Sequence, residues 1–519
     1  MRNLFTIAAL IFAALLYGCQ SEGLYEKELN FRDIVKVKDG LVFLEGNPGK
    51  LLFLKVTKKG VKTSVIFEPQ KGERIARIFT RSNNPDPKRV FAMTKPIDDR
   101  DIDIEEAMVV LEPNGVAPVR YKINSTFGKV RIDPENHYAI LLHTTSDANS
   151  NGSVFNPNEV AIIDLETKPS KSNPQIRSIG IGSSVIDTVQ FIGSVKVAGV
   201  SRRLAAFSSE GVIKFIDIED STIGSVQVKL KKSDDSRQIL PSKFFTRPSD
   251  DVHGPTIFAL AQGISEIFAI SLIPRPDKQP GFWATLNQFD GGPSPSDLIV
   301  IEDGETPLLV VVNKKGNSAN IIDIDTADVF TLTLADSPKH IFLRDAKAPE
   351  LVMYGGSGAV SFLKVEGLVA GKGSNLDEVM IPSGVEEVIK LDDDRLLIAS
   401  WGEMTLLDLR TRKGTILMAP SKEEGWSNAK LHGENFFWAQ KGSDRISILN
   451  LVNGHPESLV LDERIKAFYI FEKQGIGFVL HSTPTGRATL FPLDNAQRSS
   501  AFAVDGFWLE GLLDADEVQ

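Results

Sequence analysis

Ile162-Ile163-Asp164-Leu165-Glu166-Thr167 and Ile321-Ile322-Asp323-Ile324-Asp325-Thr326 carry one pattern: apolar residues in strand-like order, a polar residue, one more apolar residue, then a turn. Phe215-Ile216-Asp217-Ile218-Glu219-Asp220 and Leu406-Leu407-Asp408-Leu409-Arg410-Thr411 repeat it. Weaker copies are centred on Lys55, Glu112, Ser271, Lys364, Asn450 and Pro492. With the polar residue as marker, the copies stand at 55, 112, 164, 217, 271, 323, 364, 408, 450 and 492, in steps of 57, 52, 53, 54, 52, 41, 44, 42 and 42. Short strands and turns repeating at such a period are the mark of propeller blades.

The flanks of the marker complete a four-strand unit. Upstream lies a second apolar strand, as in Tyr138-Ala139-Ile140-Leu141-Leu142, in 308–312, in 395–399 and in 477–480. Another precedes it, such as Val388-Ile389-Lys390-Leu391, and a fourth follows, such as Val329-Phe330-Thr331-Leu332-Thr333-Leu334. The near-continuous Val, Ile, Leu and Phe runs suit strands covered on both faces, and no 3.6-residue periodicity stands out in the body of the chain. The marker Asp, followed by an acceptor-rich turn, reads as a cap on the hairpin between third and fourth strands, because Asp and Thr side chains bond nearby backbone amides.

The units resemble the YVTN and WD40-type β-propeller repeats of exported bacterial proteins, although the Trp-Asp dipeptide and a literal Tyr-Val-Thr-Asn are both missing. The expected fold is therefore all-β: a β-propeller of four-stranded antiparallel blades, about eight to ten units, over 33–512, with a C-terminal tail at 513–519. The period shortens after Asp323, so a point near 335 is where two rings would divide. No Pro- or Ser-rich linker marks that point, which favours one ring.

The N-terminus has a separate meaning. Met1-Arg2-Asn3 is followed by an apolar run from Leu4 to Tyr17 and then by Gly18-Cys19, the layout of a signal peptide over 1–18. The run is shorter than the roughly 20 residues that span a bilayer. Leu16-Tyr17-Gly18-Cys19 resembles the bacterial lipobox, with Tyr17 where a small or β-branched residue is usual. That resemblance implies lipidation of Cys19 by acyl chains, palmitate among them, and Gln20 after it implies an outer-membrane address on the periplasmic or surface face. Several acyl chains hold far more firmly than one. Cys19 is the only cysteine of the chain, so no internal disulfide forms and no other thiol is left for catalysis. Residues 19–32 read as lipidated Cys and tether.

A formal net charge of −10 argues against nucleic acid or an anionic membrane surface as partner. No Gly-x-Ser-x-Gly elbow, no His-Glu-x-x-His and no Gly-rich phosphate cradle occurs. One stretch points to calcium as a cofactor: Asp147-Ala148-Asn149-Ser150-Asn151-Gly152 opens like an EF-hand loop, with Asp147, Asn149 and Asn151 as oxygen ligands, Gly at the sixth place and Glu159 one place after the twelfth. The plain alternative is a polar hairpin insertion; an acidic insertion, Asp98-Asp99-Arg100-Asp101-Ile102-Asp103, occupies the same place in the preceding unit.

Register supplies a second candidate. The ends of the second strands fall at His143, Ser208, Gln262, Asn313, Tyr354, Trp401, Gln440 and His481. His143, Asn313, Trp401, Gln440 and His481 are the candidate channel-face binding residues, since a recognition surface needs polar and aromatic groups; against this stands the reading that polar residues simply begin each loop. The functional expectation is a membrane-anchored exported lipoprotein whose propeller is a binding or scaffold module for an envelope protein or polymer, with no catalytic residue assigned. The alternative is a propeller enzyme of lactonase-like hydrolase or quinoprotein type.

Overall fold

Ten sheets of four strands, each built from four consecutive strands paired antiparallel in order, make up the computed structural model among its described residues. Those residues run from 31 to 506 apart from short stretches, the longest being 81–86, 99–104, 144–155, 231–238, 369–375 and 419–429. The chain is thus all-β and of β-propeller type, with WD40-like blades at 31–67, 73–122, 129–180, 188–229, 241–290, 295–333, 340–380, 385–418, 430–460 and 465–505, numbered 1 to 10. Among the described residues no helix is long and apolar enough to cross a membrane.

Every marker lies on the third strand of its blade. Asp164, Asp217, Asp323 and Asp408 each end that strand and accept two backbone amides from the following turn: Glu166 and Thr167 at 2.9 and 3.3 Å, Glu219 and Asp220 at 3.0 and 3.1 Å, Asp325 and Thr326 both at 2.9 Å, and Arg410 and Thr411 at 2.8 and 2.9 Å. The capping role is therefore what the side chain performs. Two of these turns then reach a left-handed residue four places after the marker, Ala327 (φ 64°) and Arg412 (φ 58°), as does the turn after Asn450 at Gly454 (φ 66°). At Asp323 burial works to raise the carboxyl, but bonds from the Thr326 and Asp325 amides and the Thr306 hydroxyl hold it below the ordinary carboxylate range.

The chain forms two compact units, 1–124 with 424–450 and 456–519, and 125–423 with 451–455. The first holds blades 1, 2, 9 and 10, so the first and last blades of the sequence pack together. Leu41, Phe43, Leu52 and Leu54 of blade 1 meet Phe478, Leu480 and Leu490 of blade 10. The opposite faces of the same strands turn to the other neighbour: Val42, Leu44 and Phe53 meet Val90 and Val109 of blade 2, while Val479, Phe491 and Leu493 meet Ile446 and Ile448 of blade 9. Successive strand residues point to opposite faces, so adjacent residues serve different interfaces.

The second unit repeats the device through blades 3 to 8. In blade 4, Leu204, Ala206, Ile213 and Phe215 face blade 5, and Ala205, Phe207 and Ile216 face blade 3. Each such Phe or Leu contributes about 1.5–3 kcal/mol when fully buried. The first strand of a blade carries a one-residue register shift in seven blades: 1, 2, 4, 5, 6, 8 and 10. Such bulges bend the strand and re-aim a side chain.

One glycine tests how tightly the faces are packed. A Cβ on Gly477 would lie 2.2 Å from the ring of Phe491, itself 1% exposed, stacked with Phe468 and tilted against Phe437. Gly477→Ala is expected to destabilise the first unit by about 1–3 kcal/mol, read as a lower urea midpoint with unchanged slope; an unchanged midpoint would mean the ring has room to move.

Candidate functional site

The pairing register brings the end of each second strand opposite the start of the first strand of the same blade, as in Thr188 with Ser208, Pro295 with Asn313, His340 with Tyr354 and Ile465 with His481. This rim is the face expected to carry recognition groups. Trp401 and Gln440 lie outside the described residues, as does Gln262.

The three candidates of the binding set that are described are all buried and locally engaged. His143 is 3% exposed and stacks on Phe127, ring centroids 4.5 Å apart. Asn313 donates Nδ2 to Ser318 Oγ at 3.3 Å and packs on Gly292, where a Cβ would come within 2.5 Å of Nδ2. His481, in the other unit, places Nδ1 3.2 Å from Glu463 O and Nε2 2.7 Å from Thr489 Oγ1. Burial lowers its pKa, outweighing the bonds it makes with the backbone around Arg464 and Glu463, so the ring is held neutral.

The rim opens instead beside blade 7. A cavity of about 450 Å³ is lined by Lys314, Ser337, Lys339, His340, Glu386 and Glu387, with Asp336 and the glycines Gly355 and Gly356 at its floor. Gly355 has φ +96°, and a Cβ on Gly356 would sit 1.9 Å from Asp336 Oδ2, so both positions require glycine. Asp336 is already committed, accepting Gly358 N at 2.6 Å and Ser337 N at 2.7 Å.

Beneath the cavity the first strands of three blades are tied by charge. Lys243 of blade 5 donates to Asp297 Oδ1 of blade 6 at 3.4 Å; Asp297 Oδ2 accepts Ile341 N of blade 7 at 3.4 Å and lies 3.7 Å from His340 Nδ1. Burial would raise Asp297, but the bond from His340, the charge of Lys243 and the Ile341 amide hold it below the usual range. Tyr354 is pushed up, by burial first and then by the Asp297 charge, and its ring lies 5.4 Å from that of His340. Asp297 and His340 were not among the expected site residues. The hairpin register that pairs His340 with Tyr354 is the signal that locates them, once first-strand starts are read together with second-strand ends.

At the opposite ends of the strands, Asp133, Glu135 and His137 of blade 3 are, among the described residues, a group whose ligand atoms lie close enough to hold a metal ion. A guanidinium takes that position. Arg203 of blade 4 reaches His137 Nδ1 and Glu135 Oε2 at 2.6 Å each, Glu219 Oε1 at 3.2 Å and Asp133 Oδ2 at 3.6 Å. With Nδ1 accepting from arginine, Nε2 is the nitrogen left to donate, and it faces Glu166 Oε1 at 3.1 Å. The group joins two blades. In the calcium stretch, Asp147, Asn149 and Asn151 lie outside the described residues; Glu159 begins the third strand of blade 3, paired with Gly180. Cys19 also lies outside them, and so does 99–103 of the acidic insertion.

No protein-family model matches the chain, and no curated protein matches it by sequence. Solved structures match at low identity. The dihydro-heme d1 dehydrogenase NirN is 13% identical over 79% of this chain and 83% of its own, with a TM-score of 0.37. The β-propeller domain of Myceliophteria thermophila Cps50 (Swd1) is 14% identical over 65% and 98%, with a TM-score of 0.32. AztD from Citrobacter koseri is 8% identical over 69% and 92%, with a TM-score of 0.30. These likenesses concern fold alone and carry nothing about activity.

His481 gives the rim a pH signature. Its pKa is lower folded than unfolded, so the unfolded chain takes up the proton first. Stability is expected to be fully present above the unfolded value of about 6.5 and to fall as pH drops through it. Urea midpoints from pH 8 to 5 should show this fall, with His481→Gln flattening it; parallel curves would overturn the assignment.

Proposed function

We propose that this protein is an exported, lipid-anchored binding module whose propeller rim engages an envelope protein or polymer. The observation that carries the binding reading is the open, polar cavity beside blade 7, lined by lysine, histidine, serine and glutamate side chains from three blades of one unit. Ligand sites favour such concave places with a few converging polar groups. The hydrolase alternative would need a set of ligands open to a metal, and the one such group among the described residues is crossed by Arg203. The anchor rests on Leu16-Tyr17-Gly18-Cys19 at the end of an apolar run and on the absence of any other cysteine.

Cys19→Ser is expected to move the protein out of the membrane fraction; retention there would overturn the anchor. For binding, partners cross-linked in envelope extracts should be recovered with the native chain and lost with Lys339→Glu/Glu387→Lys, a charge reversal at two exposed rim positions. Equal recovery by both would overturn the rim as the binding surface.

A further inference from the structure

We propose that the cavity beside blade 7 takes a small zwitterion, a free amino acid or short peptide bearing both an ammonium and a carboxylate. The inference rests on the rim being a binding surface, as proposed above, and assigns the cavity within it a small-solute ligand. Its basis is how the cavity's charges are distributed.

One wall is basic. Lys314 follows the second strand of blade 6, and Lys339 immediately precedes the first strand of blade 7, which His340 opens. The other wall is acidic, formed by Glu386 and Glu387 of blade 8. These two are consecutive, yet both line the same cavity. The register explains how: Val385 pairs with Ser400 and Glu387 with Ala399, so Glu386 is the extra residue of a bulge. Residues 385 to 388 all line the cavity, and the bulge there interrupts the alternation that sends neighbouring side chains to opposite faces.

Elsewhere in the same unit opposite charges close on each other. Arg247 meets Glu302 through two bonds at 2.9 and 3.2 Å, Arg344 bonds Glu350, and Arg203 gathers Glu135 and Glu219. Across this cavity they do not: among the described residues the side chains of Lys314, Lys339, Glu386 and Glu387 have no ion-pair or hydrogen-bond partner. Asp336, the remaining carboxylate, is spent on the Gly358 and Ser337 amides. Cations on one side and anions on the other, held apart by a cavity of about 450 Å³, complement a solute whose own charges are separated in the opposite sense. The volume falls in the range of ligand pockets, about 300–1,000 Å³. The ligand carboxylate faces Lys314, Lys339 and His340, and its ammonium faces Glu386 and Glu387.

The test is isothermal titration calorimetry of the detergent-solubilised full chain with triglycine, N-acetyl-triglycine (carboxylate only) and triglycinamide (ammonium only). Triglycine is expected to bind at least tenfold more tightly than either analogue. Lys339→Gln should weaken triglycine tenfold and abolish discrimination against triglycinamide; Glu387→Gln should do the same with respect to N-acetyl-triglycine. Both positions are exposed, and unchanged urea midpoints confirm that the variants fold. Absence of triglycine heat, equal binding of all three compounds, or unchanged affinity in both variants overturns the proposal. Partner recovery that is still lost on charge reversal of the rim would leave the binding reading standing while this ligand class fails.

Discussion

Everything in this fold depends on the inability of one four-stranded blade to bury its two faces by itself. Phe478 and Val479 are neighbours in sequence, yet one packs on blade 1 and the other on blade 9. Leu204 and Ala205 divide in the same way between blades 5 and 3. A blade is therefore stable only between neighbours, the rule for stacked repeats. In the first unit the constraint draws the two ends of the sequence together, because blade 1 has a face that only blade 10 covers. Among the described residues side-chain packing makes this junction, each sheet being built from consecutive strands.

Apolar burial is non-directional, so it brings blades together without setting their alignment. Polar ties between neighbours supply the direction. Gln190 of blade 4 accepts Phe244 N at 3.2 Å and donates to Phe244 O at 3.0 Å, and Asp297 of blade 6 accepts Ile341 N of blade 7. At the other ends of the strands, arginines make the corresponding joints: Arg203 between blades 3 and 4, Arg247 between 5 and 6, and Arg344 between 7 and 8. Arg203 is 13% exposed at its side chain, where an unpaired charge is costly; its carboxylates and His137 offset that cost, and the same geometry gives the cluster its likeness to a metal site.

The rim carries both kinds of polar group. His143, Asn313 and His481 are drawn inward and engaged within their own blades, His143 on Phe127, Asn313 through Nδ2 to Ser318 and His481 to Thr489, so their identity serves packing and hydrogen bonding. The groups left facing solvent are contributed one position away in register, by the starts of first strands and the turns beside them. A bulge at Glu386 interrupts strand alternation where residues 385 to 388 line the cavity.

The repeat, its four strands and the capping role of Asp164, Asp217, Asp323 and Asp408 were legible in the chain because all three are local. Strand alternation, turn chemistry and Asx capping act over a few residues, and the marker spacing reports them directly. Which rim residues stay exposed was not legible, since His340 and His481 have equally polar contexts in sequence and differ only in what packs over them: His481 is 2% exposed, while the His340 side chain is 50% exposed. Nor could spacing show that Asp133, Glu135 and His137 would be filled by a guanidinium 66 residues away from His137. Those outcomes belong to tertiary structure because burial, and the partner that satisfies a buried charge, are properties of the neighbouring blade.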